Sequence, residues 1–248
     1  VEAAIKAEHI NFLGLHFHVG SQLFDNAPFL QALDIILDKV SRIKERFNYD
    51  VKELNLGGGF GAVYTDERRK PYEYFLTPMM KRIEEFFAKL GVDRPAVVIE
   101  PGRSIVAEAG LTLYTIGSIK EIRDVRKYVS VDGGMTDNIR PALYQAEYEG
   151  VVANKAAEPK NDKVTICGKC CESGDILIKD CMITDTAKAG DLFAIFSTGA
   201  YGFSMAANYN SNPVPAVVLV KDGESEIIVK RQSYENMISN QVIPKLLK

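Results

Sequence analysis

Three short apolar segments, each ending in an unusual cluster of residues, recur at similar spacing through the first half of the chain. The predicted strands are Phe12–Val19, Val51–Leu56 and Ala96–Ile99. The clusters that end them include His18, Gly57 and Glu100, which are 39 and 43 positions apart. Intervals of this length accommodate a helix that crosses back over a parallel sheet, so the pattern predicts consecutive βα units.

Amphipathic helices separate these strands. Apolar residues such as Leu33, Leu37 and Val40 recur at helical spacing, and the predicted helices are Pro28–Phe47 and Tyr72–Leu90.

After Gly110 the pattern changes to short alternating or β-branched runs, which is typical of antiparallel strands. These strands are predicted at Leu111–Ile119, Tyr128–Asp132, Val164–Cys167, Ile176–Ile178, Asp191–Phe196, Ala216–Val220 and Glu226–Val229. We therefore expect an α/β region at residues 1–112 and an antiparallel β-sandwich or barrel domain at residues 113–248.

Composition excludes several classes of partner. The 248 residues are 46% hydrophobic and 25% charged, enough for a large core, and the formal net charge is −3. This charge gives no attraction to nucleic acid or to anionic membrane surfaces. No apolar run approaches the roughly 20 residues that a membrane span needs, and no secretory signal opens the chain. We expect a cytoplasmic protein that binds neither nucleic acid nor membranes.

Four cysteines lie close together at positions 167, 170, 171 and 181. A tetrahedral zinc site needs a second pair of ligands, and the three histidines lie far away in sequence, so we expect no metal site. Disulfides are equally unexpected in a large-core protein without a secretory signal.

The ends of the three predicted parallel strands carry a candidate anion-binding site that contains charged side chains. The first strand ends in His18-Val-Gly-Ser21-Gln22, the second in Gly57-Gly58-Gly59, and the third in Glu100-Pro101-Gly102-Arg103. Glycine amides, a serine hydroxyl and a guanidinium suit a phosphate, and parallel α/β folds place their chemistry at this end of the strands. Each cluster alone is more typical of a structural turn, an ion pair or a core histidine.

The β half contains a second candidate cluster. It comprises Arg140 and Tyr144, the pair Cys171-Glu172, and Tyr201. Arginine and tyrosine suit a carboxylate, glutamate suits an ammonium group, and cysteine is a proton donor of adjustable pKa. Together they would bind a zwitterion. Taken singly, they are also compatible with surface ion pairs and buried apolar positions.

These motifs resemble those of the pyridoxal-phosphate-dependent decarboxylases of the alanine racemase fold, and within them the group that acts on diaminopimelate. The resemblance covers nearly the whole chain. It rests on His-Val-Gly-Ser-Gln at 18–22, the triple glycine at 57–59, Glu-Pro-Gly-Arg at 100–103, Arg-Pro-Ala-Leu-Tyr at 140–144, Cys-Glu-Ser-Gly-Asp at 171–175 and Gly-Ala-Tyr at 199–201.

The resemblance implies a role for each of these residues. His18 stacks on the cofactor ring, Glu100 faces the pyridine nitrogen, and Ser21, the Gly57–Gly59 amides and Arg103 hold the phosphate, with Tyr201 close to it. Arg103, Arg140, Tyr144, Glu172 and Tyr201 bind the substrate. Cys171, supplied by the other subunit of a homodimer, donates a proton after decarboxylation of meso-diaminopimelate to L-lysine and carbon dioxide.

The resemblance also implies a cofactor-binding lysine on an early barrel strand. A (β/α)8 barrel takes about 250 residues, whereas only three predicted strands precede residue 110. We therefore expect residues 1–112 to be the C-terminal part of such a cofactor-binding barrel, and this chain to be the C-terminal part of a longer protein, inactive by itself. Two alternatives remain: a decarboxylase of the same fold acting on ornithine, arginine or carboxynorspermidine, and a non-catalytic regulator related to such decarboxylases.

Overall fold

The computed structural model describes residues 1–247, and the chain divides into two compact units. The first comprises Val1–Ile105, and the second begins at Val106. The division into functional domains at residues 1–112 and 113–248 stays a prediction.

A parallel three-stranded sheet forms the centre of the first unit. Its order is β1-β2-β3, and Leu15, Leu54 and Val97 lie side by side in register. The first unit contains α1 (Glu2–Lys6), β1 (Gly14–His16), α2 (Ala27–Phe47), β2 (Glu53–Asn55), α3 (Tyr72–Leu90), β3 (Ala96–Val98) and the beginning of α4 (Arg103–Val106). The parallel βα arrangement is as predicted from the sequence. The complete eight-stranded barrel stays a prediction.

The two long helices follow from apolar spacing and from their terminal residues. In α2 the buried side chains recur every three or four residues: Phe29, Leu33, Leu37, Val40 and Ile43. In α3 they recur every four residues: Phe75, Met79, Ile83 and Phe87. Asn48 and Gly91 end the helices in left-handed conformations at φ of 48° and 72°. Leu54 lies fully buried at the middle of the central strand.

The three strands are shorter than predicted: β1 and β2 at both ends, and β3 at its end. Backbone pairing nevertheless continues past the regular ladder. Phe17 N–H donates to Asn55 O at 3.1 Å, and Glu100 N–H donates to Gly57 O at 2.8 Å. These bonds keep the three strand ends side by side.

A mixed six-stranded sheet, in the order β6-β9-β4-β5-β7-β8, dominates the second unit. Its strands are β4 (Thr112–Ile122), β5 (Arg126–Val131), β6 (Gly150–Val152), β7 (Asp162–Cys167), β8 (Ile176–Ile183) and β9 (Leu192–Ile195). Edge strands β6 and β8 also contact each other. A separate antiparallel hairpin contains β10 (Val217–Lys221) and β11 (Glu224–Val229).

The prediction of a wholly antiparallel β domain is wrong at one pair of strands. β5 and β7 run parallel, with Val129 opposite Ile166. A parallel pair needs a crossover connection, and the chain between these strands supplies one that contains β6 and the short helix α5 (Arg140–Tyr144). The sequence analysis did not predict β6, α5 or the C-terminal helix α6 (Tyr234–Ile238), because each is too short to show periodicity.

Candidate cofactor and substrate sites

Side chains at the ends of β1 and β2 hold the carboxylate of Glu100, which follows β3. Asn55, the last residue of β2, donates from Nδ2 to Oε1 of Glu100 at 2.7 Å. His16, the last residue of β1, has its Nε2 atom 3.5 Å from Oε2 of Glu100. Asn55 also accepts the N–H of Gly57 through Oδ1 at 2.9 Å. The Asn55 amide therefore fixes the direction of the carboxylate relative to the glycine run.

The guanidinium of Arg103 is anchored at two points. Nη1 donates to the hydroxyl of Tyr64 at 2.7 Å, and Nη2 donates to Oγ of Ser21 at 3.1 Å. The guanidinium carbon lies 5.7 Å from the centre of the Tyr64 ring, which is buried. Pro101 and Gly102 connect Arg103 to the segment that leaves β3. The Arg103 guanidinium, which follows β3, thus lies next to the Ser21 hydroxyl, which follows β1.

The triple glycine at 57–59 is required by close packing. A Cβ on Gly58 would lie 2.1 Å from the carbonyl oxygen of Glu100. Gly59 has φ of +98°, and a Cβ there would lie 2.0 Å from the carbonyl oxygen of Gly20. Only glycine permits this approach, so the run brings the ends of all three strands together.

His18 and Gln22 complete this edge of the first unit. His18 is exposed, and its Cε1 atom lies 3.7 Å from the position that a Gly59 Cβ would take. Gln22 has a structural role, because its amide exchanges two hydrogen bonds with the backbone of Ala62, at 2.9 and 2.8 Å. The first unit therefore gathers His18, Ser21, Gly57, Gly58, Gly59, Glu100 and Arg103 at one edge of its sheet.

Arg140 forms the centre of a separate cluster in the second unit. Its side chain is buried at the start of α5, and Nε donates to the hydroxyl of Tyr148 at 2.9 Å. Its guanidinium carbon lies 5.5 Å from the ring centre of Tyr144 and 5.8 Å from that of Tyr201. Both rings are exposed, so the cluster presents a guanidinium framed by phenols.

Cys171 and Glu172 lie on the loop between β7 and β8, and both are exposed. Oε1 of Glu172 accepts hydrogen bonds from Gly174 N–H at 3.1 Å and from the Ser173 hydroxyl at 3.3 Å. The acidic side chain therefore folds back on its own loop.

The remaining thiols are less acidic than a free cysteine. Burial raises the pKa of Cys167 and Cys170, with a further rise from the nearby Asp175 carboxylate, and burial raises that of Cys181 to about 11. Within residues 1–247, the four cysteines form no disulfide, and no group of three or more metal-ligating side chains occurs. No helix in this part of the chain is long and apolar enough to cross a membrane.

Several residues that orient the candidate groups were not predicted from the sequence, among them Asn55, Tyr64 and Tyr148. Asn55 left a usable signal, because it is a polar residue in an apolar strand, two positions before the glycine run. Tyr64 and Tyr148 left none, since their contacts with Arg103 and Arg140 depend on how the loops fold.

Comparison with known proteins identifies relatives along almost the whole chain. Residues 1–107 match the family model of the pyridoxal-dependent decarboxylase pyridoxal binding domain. Diaminopimelate decarboxylase of Bacillus subtilis is 50% identical over 240 residues, covering 96% of this chain and 54% of that protein. The enzyme of Staphylococcus aureus is 45% identical, covering 97% and 56% respectively.

Solved structures give the same result. Diaminopimelate decarboxylase from M. jannaschii superposes with a TM-score of 0.91 at 35% identity, covering 100% of this chain and 56% of that one. A second structure from that organism, in complex with L-lysine, has a TM-score of 0.90. This chain thus spans about half the length of the relatives it matches. Residues 1–107 match the pyridoxal binding domain of the pyridoxal-dependent decarboxylases, and along almost all of its length the chain is similar to the diaminopimelate decarboxylases.

Proposed function

We propose that this protein, in the full length its gene encodes, decarboxylates meso-diaminopimelate to L-lysine and carbon dioxide with pyridoxal phosphate. The observation that carries the proposal is the placement of Glu100 and Arg103 at one sheet edge, where β2 and the loops that follow β1 and β2 supply the side chains that hold them. The similarity to diaminopimelate decarboxylases supports the substrate. We extend the activity to the full-length protein because this chain spans about half the length of those relatives.

The groups of the first unit fit pyridoxal phosphate. Ser21 and Arg103 provide a hydroxyl and a fixed guanidinium for the phosphate, beside a glycine run that packs closely against the backbones of Gly20 and Glu100. Glu100 would accept a hydrogen bond from the protonated pyridine nitrogen and keep the proton there, and His18 would cover the ring. When bound, the cofactor supplies a ring that accepts the electrons released as carbon dioxide leaves.

The second unit would bind and protonate the substrate. The buried guanidinium of Arg140, with Tyr144 and Tyr201, suits the distal carboxylate of diaminopimelate, and Glu172 suits its distal ammonium group. Arg103 would contribute from the cofactor side. Cys171 would hold a proton on its thiol and donate it to the carbon that has lost carbon dioxide. We further propose a cytoplasmic homodimer in which each site receives Cys171 from the other subunit.

Arg140 also separates this function from the alternatives. Ornithine and arginine end in a cationic group, which a buried guanidinium would repel, whereas diaminopimelate ends in a carboxylate as well as an ammonium group. A non-catalytic regulator has no need for an exposed thiol beside a glutamate, or for a fixed Glu100.

A substrate panel on the full-length protein tests the proposal. The purified protein is loaded with pyridoxal phosphate, and carbon dioxide release is measured with meso-diaminopimelate, ornithine, arginine and carboxynorspermidine. We expect turnover of diaminopimelate alone, with L-lysine as product. Preference for another substrate would contradict the specificity, and failure to bind the cofactor would favour the regulator.

Variants of two arginines make the panel sharper. Arg140→Lys keeps the charge but loses the planar fork that matches a carboxylate, so we expect KM for diaminopimelate to rise about tenfold or more. Arg126→Lys serves as the matched control, because Arg126 bonds Thr165 and Asp180 on the β sheet. An unchanged KM in Arg140→Lys would remove Arg140 from the substrate site.

A further inference from the structure

An asparagine from a distant segment holds the backbone of the loop that carries Cys171. Cys171 N–H donates to Oδ1 of Asn210 at 2.8 Å, across 39 positions of sequence. Two residues further on, Nδ2 of Asn212 lies 3.7 Å from the sulfur of Cys170 and donates to it. One short segment therefore contacts both members of the Cys170-Cys171 pair.

A buried carboxylate fixes the preceding peptide from the other direction. Asp175 accepts Cys170 N–H through Oδ2 at 2.7 Å and Met135 N–H through Oδ1 at 2.6 Å. Its side chain fills the space beside Gly168, where a Cβ would lie 2.2 Å from Oδ2. The consecutive amides of Cys170 and Cys171 are thus bound by two independent side chains.

The segment that presents Asn210 is itself braced. Nδ2 of Asn208 donates to the carbonyl of Asn212 at 2.8 Å and to Oε1 of Gln232 at 2.6 Å. Asn210 and Ser211 both have left-handed backbones, with φ of 52° and 56°. Non-glycine residues keep this conformation only where surrounding contacts hold it. The Asn210 amide is therefore presented by a fixed support.

We propose that Asn210 is a positioning residue for the Cys171 thiol, an inference that rests on the proposed function. The bond to Asn210 fixes the Cys171 peptide, and a tight turn, in which Glu172 N–H donates to Cys170 O at 2.8 Å, fixes the next one. The Cα–Cβ bond then has a set direction, and the thiol is limited to the few staggered positions about that bond. A proton donor misplaced by about 1 Å can cost roughly 100-fold in rate, so this direction governs turnover.

The test compares Asn210→Gly with Asn210→Asp in the full-length holoenzyme. Glycine accepts the left-handed backbone but removes the side-chain oxygen, whereas aspartate keeps an oxygen acceptor at the same place. We expect the Cys171 amide to exchange hydrogen at least about tenfold faster in Asn210→Gly, because its partner is lost. We expect kcat to fall about tenfold or more with KM nearly unchanged, and Asn210→Asp to recover most of both properties.

Asp222→Gly is the matched control, because Asp222 also has a left-handed backbone, with φ of 53°, but lies in the turn between β10 and β11. Asp222→Gly should change neither the hydrogen exchange rate of the Cys171 amide nor kcat. Faster exchange in Asn210→Gly with unchanged kcat would overturn the proposal and leave the proposed function intact. Unchanged exchange would also overturn it. Absence of diaminopimelate turnover in the wild type would instead reject the proposed function.

Discussion

Amide side chains do much of the orienting at the candidate cofactor site. Asn55 donates to Glu100 at 2.7 Å and accepts from Gly57 at 2.9 Å. An amide suits this position because it can donate and accept at once, whereas aspartate could only accept. Asn55 therefore links the residue proposed to face the ring nitrogen with the run proposed to bind the phosphate.

Replacement of Asn55 should weaken cofactor binding. We expect Asn55→Ala to raise the pyridoxal phosphate dissociation constant of the full-length protein about tenfold, because Glu100 loses its hydrogen-bond donor. Asn55→Asp should do more harm, since it places two carboxylates side by side. Spectroscopic titration with the cofactor measures both. Asn161→Ala is the control, because Asn161 also makes two bonds, both with Asp185, in the second unit. If all three variants bind pyridoxal phosphate with equal affinity, Asn55 does not support cofactor binding.

The motif residues were predictable from the sequence, whereas the residues that orient them largely were not. Glu100 and Arg103 stand out because charge follows an apolar strand abruptly. Tyr64 and Asn210 do not, since they contact Arg103 and Cys171 across 39 positions of sequence in each case. Such contacts depend on loop conformation, which local pattern does not determine.

At the scale of elements, helix α3 contains an internal proline, and a side chain at the start of α2 supplies the hydrogen bond that this proline removes. Pro78 has no N–H to donate to the carbonyl of Tyr74, four residues earlier. That carbonyl instead accepts from Nδ2 of Asn26, at the start of α2, at 3.1 Å. The side chain of Asn26 therefore replaces the missing helical bond and links α2 to α3.

A double-mutant cycle tests this compensation. Asn26→Ala should lower the free energy of unfolding by about 1 kcal/mol, because the Tyr74 carbonyl loses its partner. In a Pro78→Ala background, the alanine N–H can bond that carbonyl, and Asn26→Ala should then cost close to nothing. Urea unfolding of the four proteins gives the coupling. Additive effects would show that the two sites are independent.

Asp191, immediately before β9, links that strand to the segment that follows β6. Lys155 Nζ lies 2.7 Å from its carboxylate, Asn154 Nδ2 donates at 2.9 Å, and Lys188 N–H donates at 2.9 Å. The hydrogen bond from Lys155, followed by those from Asn154 and Lys188, lowers the pKa of Asp191 from 3.8 to about 2.

This lowered pKa predicts how stability depends on pH. A carboxylate with a depressed folded-state pKa stabilises the fold above its unfolded pKa, and the contribution is lost as pH falls through the folded value. The wild type should therefore exceed Asp191→Asn in Tm at pH 5 to 7. This difference should shrink between about pH 4 and pH 2, as Asp191 becomes protonated. Exposed Asp222→Asn is the control and should change little; a pH-independent difference would contradict the assignment.

At the scale of the whole molecule, the chain distributes its candidate chemistry over two units. The first unit carries the groups proposed to bind the cofactor, and the second carries the arginine and the thiol proposed to act on the substrate. The βα repeat was predictable because long amphipathic helices and strand spacing are local signals. The parallel pairing of β5 and β7 was not, because strand partners in the second unit are chosen across a long connection that sequence pattern does not constrain.

The proposed homodimer, in which each site is shared between the subunits, predicts complementation between two inactive variants. In the full-length protein, Glu100→Gln and Cys171→Ser should each abolish most turnover, because each dimer then lacks one group at both sites. When the two are mixed and allowed to exchange subunits, about half of the dimers are hybrids, and one of the two sites in each hybrid contains both native residues. Activity should therefore return to about a quarter of the wild-type value, following the rate of subunit exchange. Mixing Glu100→Gln with a variant that carries both substitutions is the control and should restore nothing. If the first mixture also stays inactive while hybrids form, Glu100 and Cys171 act within one subunit.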